Sequence, residues 1–342
     1  MASQSPLKII LGTHMIGDTN KDPGTVRFDK KEDVQALLDA FHGRGYSHLD
    51  TARDYSPGDQ GASESRLGRA SAVSRFTVHT KVHSTSPGDH EPAKLALSIS
   101  QSLRDLQAPS VETMFLHFPD RQTPFEDTAK AMNDALVQGK FRGFGLSNYS
   151  AAEVYRFLEI CEEHGYAKPS VYEGHYNAIA RGCEKELFPL LRKHGMSFYC
   201  YSTSPAAGGL FSEHSETSGR WQKDVSKPQQ ASTQPGLTMQ NFIGKPYNIM
   251  YGKPPVHAAV AMILELAEEH GMNGHAAAIR WTAFHSNLDG KYGDGIIFGV
   301  SSVGQLNKTL DALEAGPLPA ELADAISEVY EVVEGAEPPY HL

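Results

Sequence analysis

The stretch TMFLHFPDRQTPFEDTAKAMNDALVQGKFRGFGLS (residues 113–147) sets the rhythm of the chain. It begins with an apolar run that ends on the ionisable His117, continues through residues 124–138 with apolar side chains at helical spacing, and closes on a second strand-like run, FRGFGLS (141–147). A strand, a helix and a second strand in so short a span read as βα units of a parallel sheet.

Outward from this unit the alternation persists. KIILG (8–12), YSHLD (46–50), FTVHTKV (76–82), SVYEG (170–174), SFYCYS (197–202) and GIIFGV (295–300) are further short apolar or β-branched runs. Segments 31–43, 61–70, 91–106, 150–164, 184–194, 256–286 in two pieces, and 302–313 carry helical periodicity. Ser150 is an N-cap signal, and Gly165, Gly195 and Gly271 are C-cap signals. Eight strands, each with a helix, point to the α/β class and a closed (β/α)8 TIM barrel; an open doubly wound sheet is the alternative that pattern alone leaves standing.

With 342 residues, 40% of them hydrophobic, the chain suffices for one barrel domain over residues 1–342, since such barrels take roughly 250 residues plus insertions. Residues 211–255, rich in Ser, Gln, Pro and Gly, break the rhythm. They read as a long loop after strand seven, either a functional wall at the carboxyl face of the barrel or a surface insertion. Residues 317–342 read as a C-terminal capping helix and tail.

The balance of 31 basic and 41 acidic residues, a net charge of -10, repels phosphate backbones and anionic membrane surfaces, so neither nucleic acid nor membrane is an expected partner. Cys161, Cys183 and Cys200 are scattered and match no disulfide framework or zinc spacing. No secretory signal opens the sequence and no apolar run reaches about 18 residues, so a cytoplasmic protein is expected. Metal chemistry is not expected either, because there is no HExxH and no carboxylate-rich set of strand ends.

Several strands end on a polar residue: Asp50 closes YSHLD, Lys81 sits near the end of FTVHTKV, and His117 closes TMFLH. In a parallel barrel all carboxyl ends share one face, so these residues converge, and Tyr55 leaves the same strand as Asp50. An ammonium beside Tyr55 favours phenolate and is expected to bring the phenol below its usual pKa of about 10, which suits a general acid. A neutral, donating His117 is expected to hold a substrate carbonyl oxygen. Singly, each has a duller reading: Asp50 as a helix cap, Lys81 as a surface strand-end residue, His117 as a core histidine and Tyr55 as loop packing. As a set they read as a catalytic centre.

The motifs LDTARDY (49–55), HTKV (79–82), LHFPD (116–120) and GKFRGFGLSNYS (139–150) resemble the aldo-keto reductase superfamily. VYEGHYNAIAR (171–181), ELFPLLRKHGMSFYCYS (186–202), AAGGL (206–210), AAIRW (277–281) and IIFGVSSVGQL (296–306) resemble its aflatoxin aldehyde reductase branch. The resemblance implies an NADPH/NADP-dependent oxidoreductase reducing aldehydes or ketones, with Asp50, Tyr55, Lys81 and His117 as catalytic tetrad and Tyr55 as proton donor. It further implies that Ser147 and Asn148, with Glu173, meet the nicotinamide carboxamide, that Tyr201 stacks on the ring, and that Ser301, Ser302 and Gln305 receive the adenosine 2′-phosphate, helped by a helix starting near Ser302; Lys308 is expected to offer its charge to that phosphate in place of the family's usual residues. Asp50 also borders the cofactor. Dimer formation is implied by the branch alone.

The chain departs from the family pattern in places. Glu173 stands where Gln is usual, and as an anion it accepts but does not donate; Gly304 and Thr309 replace an adenine-clamping Glu and Asn. STSPAAGG (202–209) is longer than the usual form, and PGLTMQ (235–240) stands in place of a Gly-Arg-Phe-like element, so a neutral carbonyl substrate larger than a short semialdehyde is expected. Two other readings remain: an NADPH-binding regulatory or channel-associated subunit with little turnover, and a retired enzyme kept for binding.

Overall fold

A computed structural model describes residues 6–56, 58–201, 210–211 and 250–342. Eight strands pair in parallel in chain order and close on themselves: β1 (Lys8–Gly12), β2 (His48–Asp50), β3 (Thr77–Lys81), β4 (Val111–Leu116), β5 (Phe141–Ser147), β6 (Val171–Gly174), β7 (Ser197–Cys200) and β8 (Gly295–Gly299). The closing pair is β1 with β8, in register from Lys8 opposite Gly295 to Gly12 opposite Gly299. This is the TIM barrel, and the open-sheet alternative falls.

The helices stand between the strands: α1 (Lys31–Gly43), α2 (Ala62–Arg69), α3 (Pro92–Asp105), α4 (Phe125–Val137), α5 (Ala151–His164), α6 (Leu187–Lys193), α7 (Pro254–Glu269), α8 (Gly274–Phe284) and α9 (Val303–Glu314). Local chemistry fixes their ends. Ser150 and Glu153 form a reciprocal capping box at the start of α5, and Gly165 ends it in the left-handed conformation. The C-terminal helix is two pieces, α10 (Ala320–Glu328) and α11 (Tyr330–Val333). Most of residues 211–255, and with them PGLTMQ and STSPAAGG, lie outside the described residues.

Side chains alternate along each strand between the helix layer and the barrel interior. On β3, Val78 packs toward the helices and Thr80 donates to Glu64 of α2, while His79 and Lys81 point inward. Ile10, Phe115, Val171, Tyr199 and Ile297 fill the interior. Gly145 is required there, because a Cβ on it would lie 2.5 Å from the Phe115 ring. The larger cluster between strands and helices includes Leu38, Leu49, Met114, Phe144, Leu158 and Phe198, each contributing about 1.5–3 kcal/mol of apolar burial. A second cluster under α7, α8 and α10, with Val256, Ile263, Trp281 and Leu322, seats the last helices against the barrel. Among the described residues no helix is long and apolar enough to cross a membrane.

Candidate active site

The alternation that points His79 inward also points the last residue of β3, Lys81, into the carboxyl mouth, and the same parity on β2 places Asp50 beside it. Lys81 is wholly buried. Its Nζ donates to both Asp50 oxygens at 2.6 and 2.7 Å, to the Thr51 carbonyl at 3.1 Å, and reaches the Tyr55 hydroxyl at 3.0 Å. Tyr55 OH lies 3.0 Å from Asp50 Oδ2. Burial disfavours the Lys81 charge, but Asp50 overcomes that penalty and holds the ammonium well above its ordinary range. Asp50 is not a helix cap, since Gly61 occupies that position for α2.

The expected acid shift of Tyr55 is reversed. Burial, followed by the Asp50 anion, raises the phenol well above its ordinary value; Lys81 opposes them and loses. The sequence offers one cation beside the phenol, whereas desolvation and the Asp50 charge act against it in the folded site.

His117 lies one residue beyond β4 and faces Tyr55 edge-on, ring centroids 6.0 Å apart. Its Nδ1 is 3.4 Å from Oδ2 of Asp54, an ion-pair distance longer than a well-formed hydrogen bond. Asp54 also bonds closely to His83 Nδ1 and accepts from the Ser84 amide at 3.1 Å. Burial works against the Asp54 charge, yet His117 and His83 hold the carboxyl well below the usual range. For His117 burial prevails over Asp54 and lowers its pKa, so the neutral ring is favoured. A carboxylate only accepts, so the proton of that neutral ring belongs on Nδ1, toward Asp54 and not toward the pocket. Asp54 and His83 were missed in the sequence, although an acid beside Tyr55 and an imidazole two residues after Lys81 were the available signals.

The remaining predicted residues surround the same mouth. Ser147 ends β5, and Asn148 follows in the left-handed conformation at φ 65°, which asparagine tolerates. Asn148 Nδ2 donates to the His117 carbonyl at 2.9 Å and to Ser147 Oγ at 3.0 Å, and its Oδ1 faces Tyr201 OH at 3.4 Å. Tyr201 stacks on His175 at 5.8 Å and 15°. In register with Ser147 on one side and Tyr199 on the other, Glu173 is buried, with Oε1 3.2 Å from Lys81 Nζ. Burial first, then Asp50, pushes its carboxyl up to about 8. This shift favours the protonated form over the anion read from the sequence.

Beyond β8, Ser302 caps α9 by accepting from the Gln305 amide at 3.1 Å, and Gln305 Oε1 takes the Ser301 amide at 2.7 Å. Ser301, Ser302, Gln305 and Lys308 are all exposed. Thr309 turns away into the core and bonds His275 at 3.1 Å.

A buried ammonium shared by a carboxyl and a phenol thus sits at the mouth of a closed parallel barrel. Residues 8–331 match the model of the Aldo/keto reductase family. The chain belongs to that family, whose members are oxidoreductases acting on carbonyl compounds. An aldo-keto reductase of Pseudocercospora fijiensis is 36% identical over 309 residues, 89% of this chain and 99% of that protein. The human aldo-keto reductase family 7 member A3 is 34% identical over 313 residues, covering 89% and 91% of the two chains. Human aflatoxin B1 aldehyde reductase member 2 is 34% identical over 332 residues, covering 93% and 88%.

Proposed function

We propose that this chain is an NADPH-dependent reductase of aldehydes or ketones, with Tyr55 as the general acid. The observation that carries the reading is the Lys81 ammonium, in contact at once with Asp50 and with the Tyr55 hydroxyl. NADPH, when bound, supplies the hydride for the carbonyl carbon. Tyr55 gives its proton to the carbonyl oxygen, and its raised pKa keeps that proton in place until an alkoxide develops to take it. Lys81, held charged by Asp50, offers a fixed positive charge to the oxygen and to the phenolate left behind.

The residues present suit the cofactor. At the nicotinamide end, Asn148 spends its amide donors on His117 and Ser147, which leaves Oδ1 on the accepting side, and Glu173 Oε2 is a buried polar atom with no hydrogen-bond partner among the described residues. Ser147, Asn148 and Glu173 would hold the carboxamide and Tyr201 the ring. At the other end, Ser301, Ser302, Gln305 and Lys308 would hold the 2′-phosphate, where the amides of a twelve-residue helix favour an anion. A Cβ on Gly304 would meet only Ser302 Oγ at 3.8 Å, so this face is open to a ligand.

As substrate we infer an aldehyde-bearing compound, in line with the names of the relatives, neutral and larger than a short semialdehyde. Steady-state oxidation of NADPH and of NADH with a panel of aldehydes tests the whole reading. Faster turnover of succinic semialdehyde than of an aromatic aldehyde refutes the substrate class, and no turnover with any carbonyl in the presence of bound NADPH favours a regulatory subunit.

A further inference from the structure

The loops that leave the adjacent strands β2, β3 and β4 bring two imidazoles to one carboxylate. Asp54 Oδ1 bonds closely to Nδ1 of His83, while its Oδ2 stands 3.4 Å from Nδ1 of His117. The other ring nitrogen of His83 meets a second acid, with Nε2 3.3 Å from Asp89 Oδ2. The His83 amide donates to Ser98 Oγ at 2.9 Å, which fixes its backbone against α3. A neutral imidazole has one N–H and one lone pair, so it would turn that lone pair toward one of the two carboxylates; an imidazolium donates to both. His83 is therefore the cation of this cluster, and the Asp54 bond raises its pKa against the opposing effect of burial. His117 stands farther from Asp54, and there burial prevails and favours the neutral ring.

We propose that His83 is a positioning residue of this site: as an imidazolium it compensates the Asp54 charge, so that Asp54 holds the His117 ring and leaves it neutral. The inference rests on the reading of His117 as the histidine at the substrate mouth. The other charged groups nearby are engaged elsewhere. Arg53 gives Nη1 to Glu64 and Asp105, and the Lys81 ammonium lies on Asp50. His90, in the same loop as His83, meets Ser84 Oγ at 2.7 Å, and burial brings its pKa down to about 4, so it is neutral. The Gln60 amide, 3.2 Å from His83 Nδ1, and the Thr85 hydroxyl, 3.4 Å from Nε2, carry no charge. The Asp54 side chain is only 8% exposed, and a carboxylate in that setting needs a cation beside it. Deprived of His83, it draws a proton onto His117, the other imidazole within its reach. The charge state of the ring at the mouth thus depends on a histidine in the next loop, 26% exposed.

Nitrogen NMR titrations of the histidine rings in the cofactor-free protein test this, with each signal assigned by its loss from His83→Gln or His117→Gln. At about pH 7 wild-type His83 should carry protons on both nitrogens and His117 on one. In His83→Gln the His117 midpoint should rise by about one pH unit or more, and the low-pH limb of kcat/KM should move up with it. His83→Arg, which restores a cation, should bring both back toward wild type. An unmoved His117 midpoint in His83→Gln overturns the proposal. So does a shift that His83→Arg leaves in place, because it assigns His83 a purely structural role. A neutral wild-type His83 at about pH 7 overturns it as well, so the wild-type titration decides where His83→Gln fails to fold. If no carbonyl compound is turned over, the enzymatic reading falls, while the ring titrations still decide what His83 does to His117.

Discussion

Asp54 Oδ2 stands 3.4 Å from Nδ1 of His117, so the histidine at the pocket mouth is backed by a carboxylate that itself holds His83. With its neutral proton turned toward Asp54, His117 has a lone pair on Nε2 and donates into the pocket only as imidazolium. Asp54→Ala takes the carboxylate away from Nδ1, so the neutral ring is free to carry its proton on Nε2. We expect wild-type kcat/KM for an aldehyde to climb as the pH falls through the imidazole range, by up to about tenfold per unit, and the variant to be flat there. Parallel pH profiles for the two proteins would remove Asp54 from control of the ring.

Tyr55→Phe removes one hydroxyl that touches Lys81 and Asp50 and leaves the ring in place. Reduction should drop by about 10² to 10⁴, the worth of a positioned acid, with NADPH affinity nearly unchanged. Single-turnover rates beside a binding titration check this split. Retained turnover means that the proton comes from another group.

The barrel was legible because its signals are periodic. Apolar runs ending on Asp50, Val82 and Ser147 gave the strand ends to within a residue or two, and period-two alternation alone sends Lys81 to the interior with His79. What sequence could not give is the sum of opposing terms at one atom. For Tyr55 the Lys81 charge was foreseen, but burial and the Asp50 charge determine the sign. For Glu173 the departure from the family pattern was visible, whereas its raised pKa comes from burial and the neighbouring Asp50, against the Lys81 charge. Asp54 escaped because nothing in RDY says which imidazole its carboxyl will meet.

At the far end of the site, Lys308 is exposed and its charge is screened, so an ion pair there is worth only about 0.2–1 kcal/mol. Lys308→Ala should weaken NADPH binding by no more than about fivefold and leave NADH binding unchanged, since only the first carries a 2′-phosphate. Titration of both cofactors measures it. An equal loss for both would place Lys308 away from the phosphate.

The proton on Glu173 also marks stability. Its folded carboxyl titrates at about 8, while in the unfolded chain an ordinary glutamate does so at about 4.3. Between these values the folded protein holds a proton that the unfolded chain has released. Unfolding then sheds a proton, so stability falls as the pH rises across the window, by at most about 1.4 kcal/mol per unit from this group. Above the window both states are ionised and the slope ends. Glu173→Gln has no such group, so its stability relative to wild type should grow from about pH 5 to about pH 8 and then level off. Urea midpoints for both proteins at each pH measure the difference. If that difference stays constant throughout, Glu173 is already ionised beside Asp50, and Lys81 balances two buried anions by itself.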